Sequence, residues 1–247
     1  YWNESATSGS WNKIWFNATN IPASAWCNDT YYLYYGNSSA SSASNGANTF
    51  LFFDDFPGSS LDTDKWNTHE DADTSKSVSD SILTLTGGEV KGITVYSKTS
   101  YSQQHRLKSR MKLGSGSSNY GYLVLADYDE QFDQDTRVRA QMNPASNKRW
   151  NADSLLSGVS EGGSGWKTGE TITSYSNEEI LIGSDGGDVK FLRDGVEKYK
   201  LSDDTKTIGD HGNSNEIILQ VFQSGTYLWD WVFLSKYASP EPDAELG

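Results

Sequence analysis

The feature that most constrains the fold of this chain is a series of short segments in which apolar and polar residues alternate. Residues 81–85 alternate in this way and end at a Gly-Gly turn, and residues 105–113 alternate basic with apolar side chains. A period of two places successive side chains on opposite faces of a β-strand. About a dozen such segments separated by turn residues predict an all-β, two-sheet sandwich.

The composition supports an all-β chain. Aromatic residues are abundant, with nine Trp, fourteen Tyr and nine Phe, and 23 Gly residues punctuate the sequence. Aromatic and β-branched residues favour strands, whereas Gly, Asn, Asp and Ser favour the turns between them. Asp194-Gly195 lies between two strand-like segments and predicts a tight hairpin turn.

A small, polar stretch at residues 37–48 divides the chain. It consists of Ser, Ala, Asn and Gly and is typical of a connector. We therefore predict a truncated β domain with its connector at residues 1–48 and a β-sandwich at residues 49–247.

Charge and cysteine content exclude several classes of protein. The net charge is −13 and the pI is about 4.6, so phosphate backbones are repelled and a nucleic-acid partner is not expected. The acidity favours cation binding, or serves solubility alone. With a single cysteine, Cys27, the chain forms no internal disulfide, and no segment is apolar enough to insert into a membrane.

Four Asn-x-Ser/Thr sequons cluster near the start of the chain. Their clustering, with no Pro at the middle position, favours a glycosylated exterior and predicts a glycoprotein at the cell surface or in the extracellular medium. The chain begins with Tyr1, which indicates a processed product or a piece of a larger protein. The acceptor residues are Asn3, Asn17, Asn28 and Asn37.

Two parts of the sequence resemble known families. Residues 31–37, followed by Ser44-Asn45-Gly46 and Thr49-Phe50, resemble the end of the domain family of unknown function number 2341, which recurs in archaeal and bacterial surface proteins. Residues 53–66 resemble the first strand of concanavalin A-like sandwiches, which include laminin-G-type lectin modules and family 16 glycoside hydrolases, and residues 229–242 resemble their closing strand. The resemblance implies a jelly roll from about residue 50, preceded by an incomplete companion domain that docks onto it.

The residues that catalysis needs are not found. Family 16 hydrolases place two carboxylates on one strand in a Glu-x-Asp-x-Glu pattern, about 5 Å apart. This chain lacks the triplet, and its nearest candidate pairs Asp127 with Asp129 in a polar segment that is typical of a loop. The three histidines, His69, His105 and His211, are scattered. We therefore predict that the chain is not an enzyme.

The resemblance also implies a structural calcium ion. In similar sandwiches the ion lies where the first and last strands meet, and calcium takes carboxylate and carbonyl oxygens. The matching residues here are Asp54, Asp55, Gly88 and Asp230. The alternative is that the two aspartates flank an edge strand and Asp230 makes an ordinary hydrogen bond.

Candidate sugar-binding residues are Trp150 and Trp166, which lie among polar, turn-like neighbours, together with the basic residues Arg106, Lys108 and Arg110. The tryptophans would stack on sugar rings, and the basic strand would line a concave face. The alternatives are tryptophans that cap the sandwich edge and a solvated basic face. Trp229 and Trp231 flank Asp230 and are expected to share one face of a buried strand.

These features predict an extracellular carbohydrate-binding or adhesive module of a surface protein, without catalytic activity. Its partners would be glycans or neighbouring surface-protein chains. Two alternatives remain: a structural repeat of a surface layer or filament, and a divergent glycoside hydrolase.

Overall fold

The computed structural model of the chain describes residues 1–4, 13–18, 31–32, 37, 39, 41–101, 105–117, 119–126, 137–144, 149–156, 159–183, 188–202 and 215–237. Within these ranges the regular elements are β-strands and none is a helix. In chain order they are β1 (Trp2–Asn3), β2 (Ile14–Trp15), β3 (Phe52–Asp54), β4 (Trp66–Glu70), β5 (Ser75–Ser79), β6 (Ile82–Gly87), β7 (Gly92–Ser97), β8 (His105–Ser115), β9 (Tyr120–Ala126), β10 (Arg137–Asn143), β11 (Arg149–Leu156), β12 (Val159–Gly163), β13 (Ser176–Ile182), β14 (Asp188–Arg193), β15 (Val196–Ser202), β16 (Glu216–Phe222) and β17 (Gly225–Lys236).

The strands form two large antiparallel sheets and one small strand pair. A seven-stranded sheet has the order β12-β11-β10-β9-β16-β7-β4, and an eight-stranded sheet has the order β15-β14-β13-β8-β17-β6-β5. Strand β3 adds to the end of β17 beside the larger sheet, and β1 pairs only with β2. Strands β9 to β12 and β13 to β15 lie in sequence order. In the middle of the sheets β16 lies between β9 and β7, and β17 lies between β8 and β6, so distant parts of the chain meet there.

The core lies between the two sheets. One face of each strand supplies it, as the strict alternation of partly buried and buried residues along β6 shows. Tyr227 lies against Gly121, where a Cβ atom would overlap the tyrosine ring, and its hydroxyl donates to the carbonyl of Met142 at 2.9 Å. Burial of this single continuous core is the main stabilising contribution, and the predicted all-β sandwich is confirmed.

A bulge in β17 corrects one expectation from the sequence. Trp229 pairs with Met111 and Trp231 with Arg110, so Asp230 is the extra residue of a β-bulge. A bulge reverses the alternation beyond it. Trp229 therefore belongs to the core, whereas Trp231 lies on the outer face of the eight-stranded sheet, and the expectation that they share one face is wrong.

The N-terminal segment docks on that outer face through a cluster of aromatic side chains, which we call the docking cluster. Its ring centroids are separated by 4.0–5.9 Å, within the range of stacked and edge-to-face pairs. The first two strands thus pack Trp2 and Trp15 on the sandwich, as the resemblance implies, while Ile14 of β2 is exposed. The docking cluster comprises Trp2, Trp15, Phe50, Phe53, Trp231 and Phe233.

His105, the first residue of β8, is a buried histidine that makes stability depend on pH. The residue pairs in strand register with Lys236 of β17. Its imidazole ring lies edge-on to the Tyr101 ring, with the ring centroids 6.2 Å apart. Burial, together with the charge of Lys236, lowers the pKa of His105 to about 4.

Because the folded pKa lies below the unfolded value of about 6.5, the contribution of His105 is complete above pH 6.5 and is lost as the pH falls toward 4. We expect the free energy of unfolding to decrease by at most about 3 kcal/mol over this window. The measurement is urea unfolding at several pH values. His105→Gln should flatten the profile; equal profiles for wild type and His105→Gln would contradict the assignment.

Candidate functional site

The outer face of the seven-stranded sheet carries an uninterrupted row of polar side chains. The row runs across six strands, because each of its residues pairs directly with the next in the strand register. Its members are His69, Thr94, Gln220, Tyr122, Gln141 and Asn151. Side chains at directly paired positions point to the same face of a sheet, so the row is continuous on this face. Its inner members Thr94, Gln220, Tyr122 and Gln141 are 0–8% exposed, and its end members His69 and Asn151 are partly exposed.

Hydrogen-bonding groups along this row are only partly used. Gln220 donates through Nε2 to Thr94 Oγ1 at 3.1 Å. Gln141 is 6% exposed, and no hydrogen bond in the described part of the chain engages its side-chain amide. An amide offers two donors and an acceptor. Gln141 can therefore bond a ligand in both directions.

Three aromatic rings cluster at the row, of which Tyr122 is itself a member. Tyr120 and Tyr122, on the same face of β9, stack with ring centroids 5.9 Å apart. The ring centroid of Trp166 lies 6.1 Å from that of Tyr120, and Trp166 is partly exposed. Its loop is fixed to β11 by two backbone hydrogen bonds between Trp150 and Lys167, of 2.9 and 2.8 Å. We call these three rings the aromatic corner.

An arginine pair fixes the position of Tyr122. The Arg139 guanidinium lies over the Tyr122 ring at 5.0 Å from the centroid, and Asp153 accepts from Arg139 and from Arg137 Nε at 3.3 Å. Burial raises the pKa of Tyr122 to about 12, with the positive charge of Arg139 acting against it. The Tyr122 hydroxyl thus remains protonated and able to donate at neutral pH.

This face does not bring two carboxylates to catalytic distance within the described side chains. Glu70 on β4 pairs with the core residue Ile93 and lies on the other face. The described carboxylates on this face are Asp153 on β11 and Glu216 on β16, separated by three strand spacings. That separation is roughly 14 Å, from about 4.8 Å per spacing, whereas glycosidases need about 5–9.5 Å. Asp153 is also bound by two arginines. Asp127 and Asp129 lie outside the described residues.

Trp150 is not a surface residue, contrary to the sequence prediction. It is fully buried, and its indole Nε1–H donates to Glu178 Oε2 at 2.8 Å inside the core. Its polar neighbours Arg149 and Asn151 occupy the alternate positions of β11, so a period of two, and not a turn, explains them. Trp166 occupies the outer edge, as expected; its role in binding stays a prediction.

The strand that carries the alternating basic residues, β8, does not line an open concave face as predicted. The alternation along β8 is confirmed, but Arg106 and Lys108 are 9% and 2% exposed because the N-terminal segment covers them. Lys108 pairs with Glu4 at 2.7 Å, and Arg106 pairs with Glu179 at 2.7 Å. Arg110 pairs with Asp230 on the same face. These residues hold the N-terminal segment and the sheet together and do not line an open groove.

The four residues predicted to bind calcium do not converge. Asp54 points inward and accepts from Trp66 Nε1 at 2.6 Å, from the Phe56 amide and from Lys65. Asp230 points outward and binds Arg110, while Asp55 is exposed and Gly88 lies at the far end of β6. The described residues hold no group of three or more His, Cys, Asp or Glu side chains suited to a metal. Calcium binding by the chain stays a prediction.

The sequons remain predictions as well. Asn17 and Asn37 are exposed, and Asn3 is partly buried in β1. Asn28 and Cys27 lie outside the described residues, as does His211.

Solved structures share this fold. An endo-acting O-glycanase from the human gut microbiota, of the kind that initiates mucin breakdown, superposes with a TM-score of 0.61 at 15% identity, covering 76% of this chain and 99% of that one. The catalytic domain of an endo-1,3-beta-glucanase (laminarinase) from Thermotoga petrophila gives 0.57 at 14% identity, covering 75% and 96%. A pseudo beta-1,3-glucanase of Mycobacterium tuberculosis gives 0.57 at 13% identity, covering 76% and 98%.

At these identities the likeness establishes the fold, which is the concanavalin A-like jelly roll of family 16 glycoside hydrolase-type domains. The N-terminal part is assigned separately: residues 1–69 match the family described as Domain of unknown function (DUF2341). Both resemblances seen in the sequence are thereby confirmed. The match runs past residue 48 into β4, and the predicted boundary at that residue stays a prediction.

Among curated proteins no sequence matches this chain. The part of the chain that the structure describes contains no helix long and apolar enough to cross a membrane.

Proposed function

We propose that this chain is a non-catalytic carbohydrate-binding module whose ligand lies along the outer face of the seven-stranded sheet. The observation that carries the proposal is the aromatic corner beside the polar row. Aromatic rings pack against the C–H faces of sugars, while amide and hydroxyl groups bond the sugar hydroxyls. Both kinds of group meet here on one rigid sheet, which limits the entropy lost on binding.

The fold supports a glycan as the ligand. The O-glycanase and the laminarinase with this fold act on mucin glycans and 1,3-beta-glucan. The polar row extends across six strands, or roughly 24 Å at about 4.8 Å per strand spacing. A surface of this length suits an oligosaccharide better than a single sugar.

The absence of catalysis is part of the proposal. It is supported by the missing Glu-x-Asp-x-Glu triplet and by the roughly 14 Å between Asp153 and Glu216, taken from about 4.8 Å per strand. One protein with this fold is itself described as a pseudo beta-1,3-glucanase. The four sequons support display outside the cell.

Binding to laminarin and to mucin O-glycans on an array is the test, with Trp166→Ala as the variant. Removing this ring deletes a stacking surface, and we expect binding to weaken about tenfold, which corresponds to 1.4 kcal/mol. Gln141→Ala should weaken it by a similar factor because it removes donors and an acceptor. Tyr175→Ala is the matched control, since Tyr175 is a partly exposed aromatic residue that contacts Arg110 and Lys112 on the opposite sheet.

Two outcomes would contradict the proposal. Binding that is unchanged in both variants would move the ligand away from this face. Release of reducing sugar from laminarin by the wild-type chain would revive the hydrolase alternative, because binding alone breaks no glycosidic bond.

A further inference from the structure

A cavity of about 310 Å³ lies at the junction between the N-terminal segment and the sandwich. It lies on the outer side of the eight-stranded sheet. Residues 44–47, at the end of the connector, and residues in or next to β3 line it. This volume falls at the lower end of the range for small-molecule sites. The lining residues used below are Trp2, Asn45, Ala47, Phe53, Asp55 and Lys65.

The walls of this cavity are held in place by the fold. Gly46 lies so close to the Phe53 ring that a Cβ atom would overlap it. The Asn45 amide donates to the Tyr1 carbonyl at 2.8 Å, and Asn45 Oδ1 accepts from the Asn48 amide at 2.9 Å. Trp2 and Phe53 belong to the docking cluster. The cavity is thus formed before any ligand arrives.

The polar groups of the cavity offer both acceptors and donors. Asp55 is exposed and has no hydrogen bond or ion pair within the described part of the chain, whereas its neighbour Asp54 turns inward. Lys65 Nζ donates to the Phe53 carbonyl at 3.1 Å and to Asp54 at 3.3 Å, which leaves one of its three protons for a ligand. The side-chain NH₂ of Asn45 takes no part in the two bonds that fix its turn.

We infer that this cavity is a second saccharide-binding site, which takes a single neutral sugar residue. A carboxylate and an ammonium group border it together, so a ligand with net charge of either sign meets a repelling group. A hydroxyl group both donates and accepts and can bond Asp55 and Lys65 at once. Trp2 and Phe53, each 8% exposed, provide the apolar part of the wall, against which the C–H groups of one sugar ring would pack.

This site is separate from the one proposed above. It lies on the outer side of the eight-stranded sheet, and the aromatic corner lies on the outer side of the seven-stranded sheet. Loss of one site should therefore leave the other intact.

The test follows the Trp2 indole N–H resonance by NMR, assigned with Trp2→Phe, during titration with methyl glycosides of glucose, galactose and N-acetylgalactosamine. We expect saturable shifts with at least one glycoside and about tenfold weaker binding in Asp55→Ala. Ala47→Trp, which fills the cavity without removing a polar group, should abolish the shifts. Asp64→Ala, at a nearby exposed aspartate, and Trp166→Ala should bind as the wild type does.

The inference is overturned if no glycoside shifts the Trp2 resonance, or if Asp55→Ala and Ala47→Trp both bind like the wild type. It is also overturned if Trp166→Ala removes the shifts, because the sugar would then occupy the sheet face. Retained binding of laminarin in Ala47→Trp would show that the sheet-face proposal stands on its own.

Discussion

Replacing Glu178 with alanine is expected to lower the free energy of unfolding by about 3–5 kcal/mol. Glu178 is 1% exposed inside the sandwich, where it accepts hydrogen bonds from Trp150 Nε1 at 2.8 Å and Ser176 Oγ at 2.9 Å and pairs with Arg193 Nη1 at 3.2 Å. Its removal leaves the indole N–H without an acceptor, and it leaves the buried Arg193 with only the more distant carboxylate of Glu170, at 3.6 Å, among the described residues. The measurement is equilibrium unfolding in urea, monitored by tryptophan fluorescence.

A surface ion pair on a strand next to Glu178 provides the control. Asp188 binds Lys200 at 2.7 Å, with both side chains partly exposed. Exposed pairs contribute between 0 and about 1 kcal/mol, so Asp188→Ala should change stability little. A loss below about 1 kcal/mol in Glu178→Ala would mean that water or a rearranged Arg193 compensates for the missing carboxylate.

Replacing Phe233 with alanine is expected to detach the N-terminal segment and to cost about 3–5 kcal/mol. Phe233 is fully buried, stacks on Phe50 at 4.0 Å and lies 5.1 Å from Trp15. Deleting the ring leaves a cavity at the centre of the docking cluster and weakens the packing that covers Lys108. The measurements are urea unfolding and hydrogen exchange of the backbone amides.

Hydrogen exchange separates detachment from general destabilisation. The Asn45 amide, which bonds the Tyr1 carbonyl, should exchange much faster in Phe233→Ala, while amides of β9 and β16 in the other sheet keep their order of protection. Phe16→Ala is the control, because Phe16 is 58% exposed and should change stability by less than about 0.5 kcal/mol. Uniformly faster exchange across both sheets would contradict independent docking.

Much of the fold follows from local pattern. The alternation along residues 105–113 and the Asp194-Gly195 turn between β14 and β15 are properties of neighbouring residues, and the structure contains both. The predicted orientation of a side chain is wrong where one extra residue interrupts the alternation along a strand. The bulge at Asp230 sends Trp231 to the opposite face from Trp229, and no composition signal marks it.

The candidate site was harder to predict. Its polar row joins β4, β7, β16, β9, β10 and β11. The last three follow one another in the sequence, but β16, from near the end of the chain, lies between β7 and β9. Gln141 and Gln220 are unremarkable residues in the sequence and become notable only because Tyr122 lies between them. The exposure of Trp166 is predictable from the sequence, because an isolated Trp in a Gly-rich segment is itself a local signal.

By itself the sequence determined that the chain is all-β, that its first part resembles a different family from its sandwich, and that it lacks the catalytic triplet. These follow from side-chain periodicity and from contiguous motifs, which need no partner. Tertiary structure alone decided that Trp150 and Lys108 are buried, that Asp54 and Asp230 face apart, and that a cavity forms beside Asp55. The physical reason is that burial and convergence depend on which distant segment covers a strand, and strand pairing across the sheets settles that only in the folded chain.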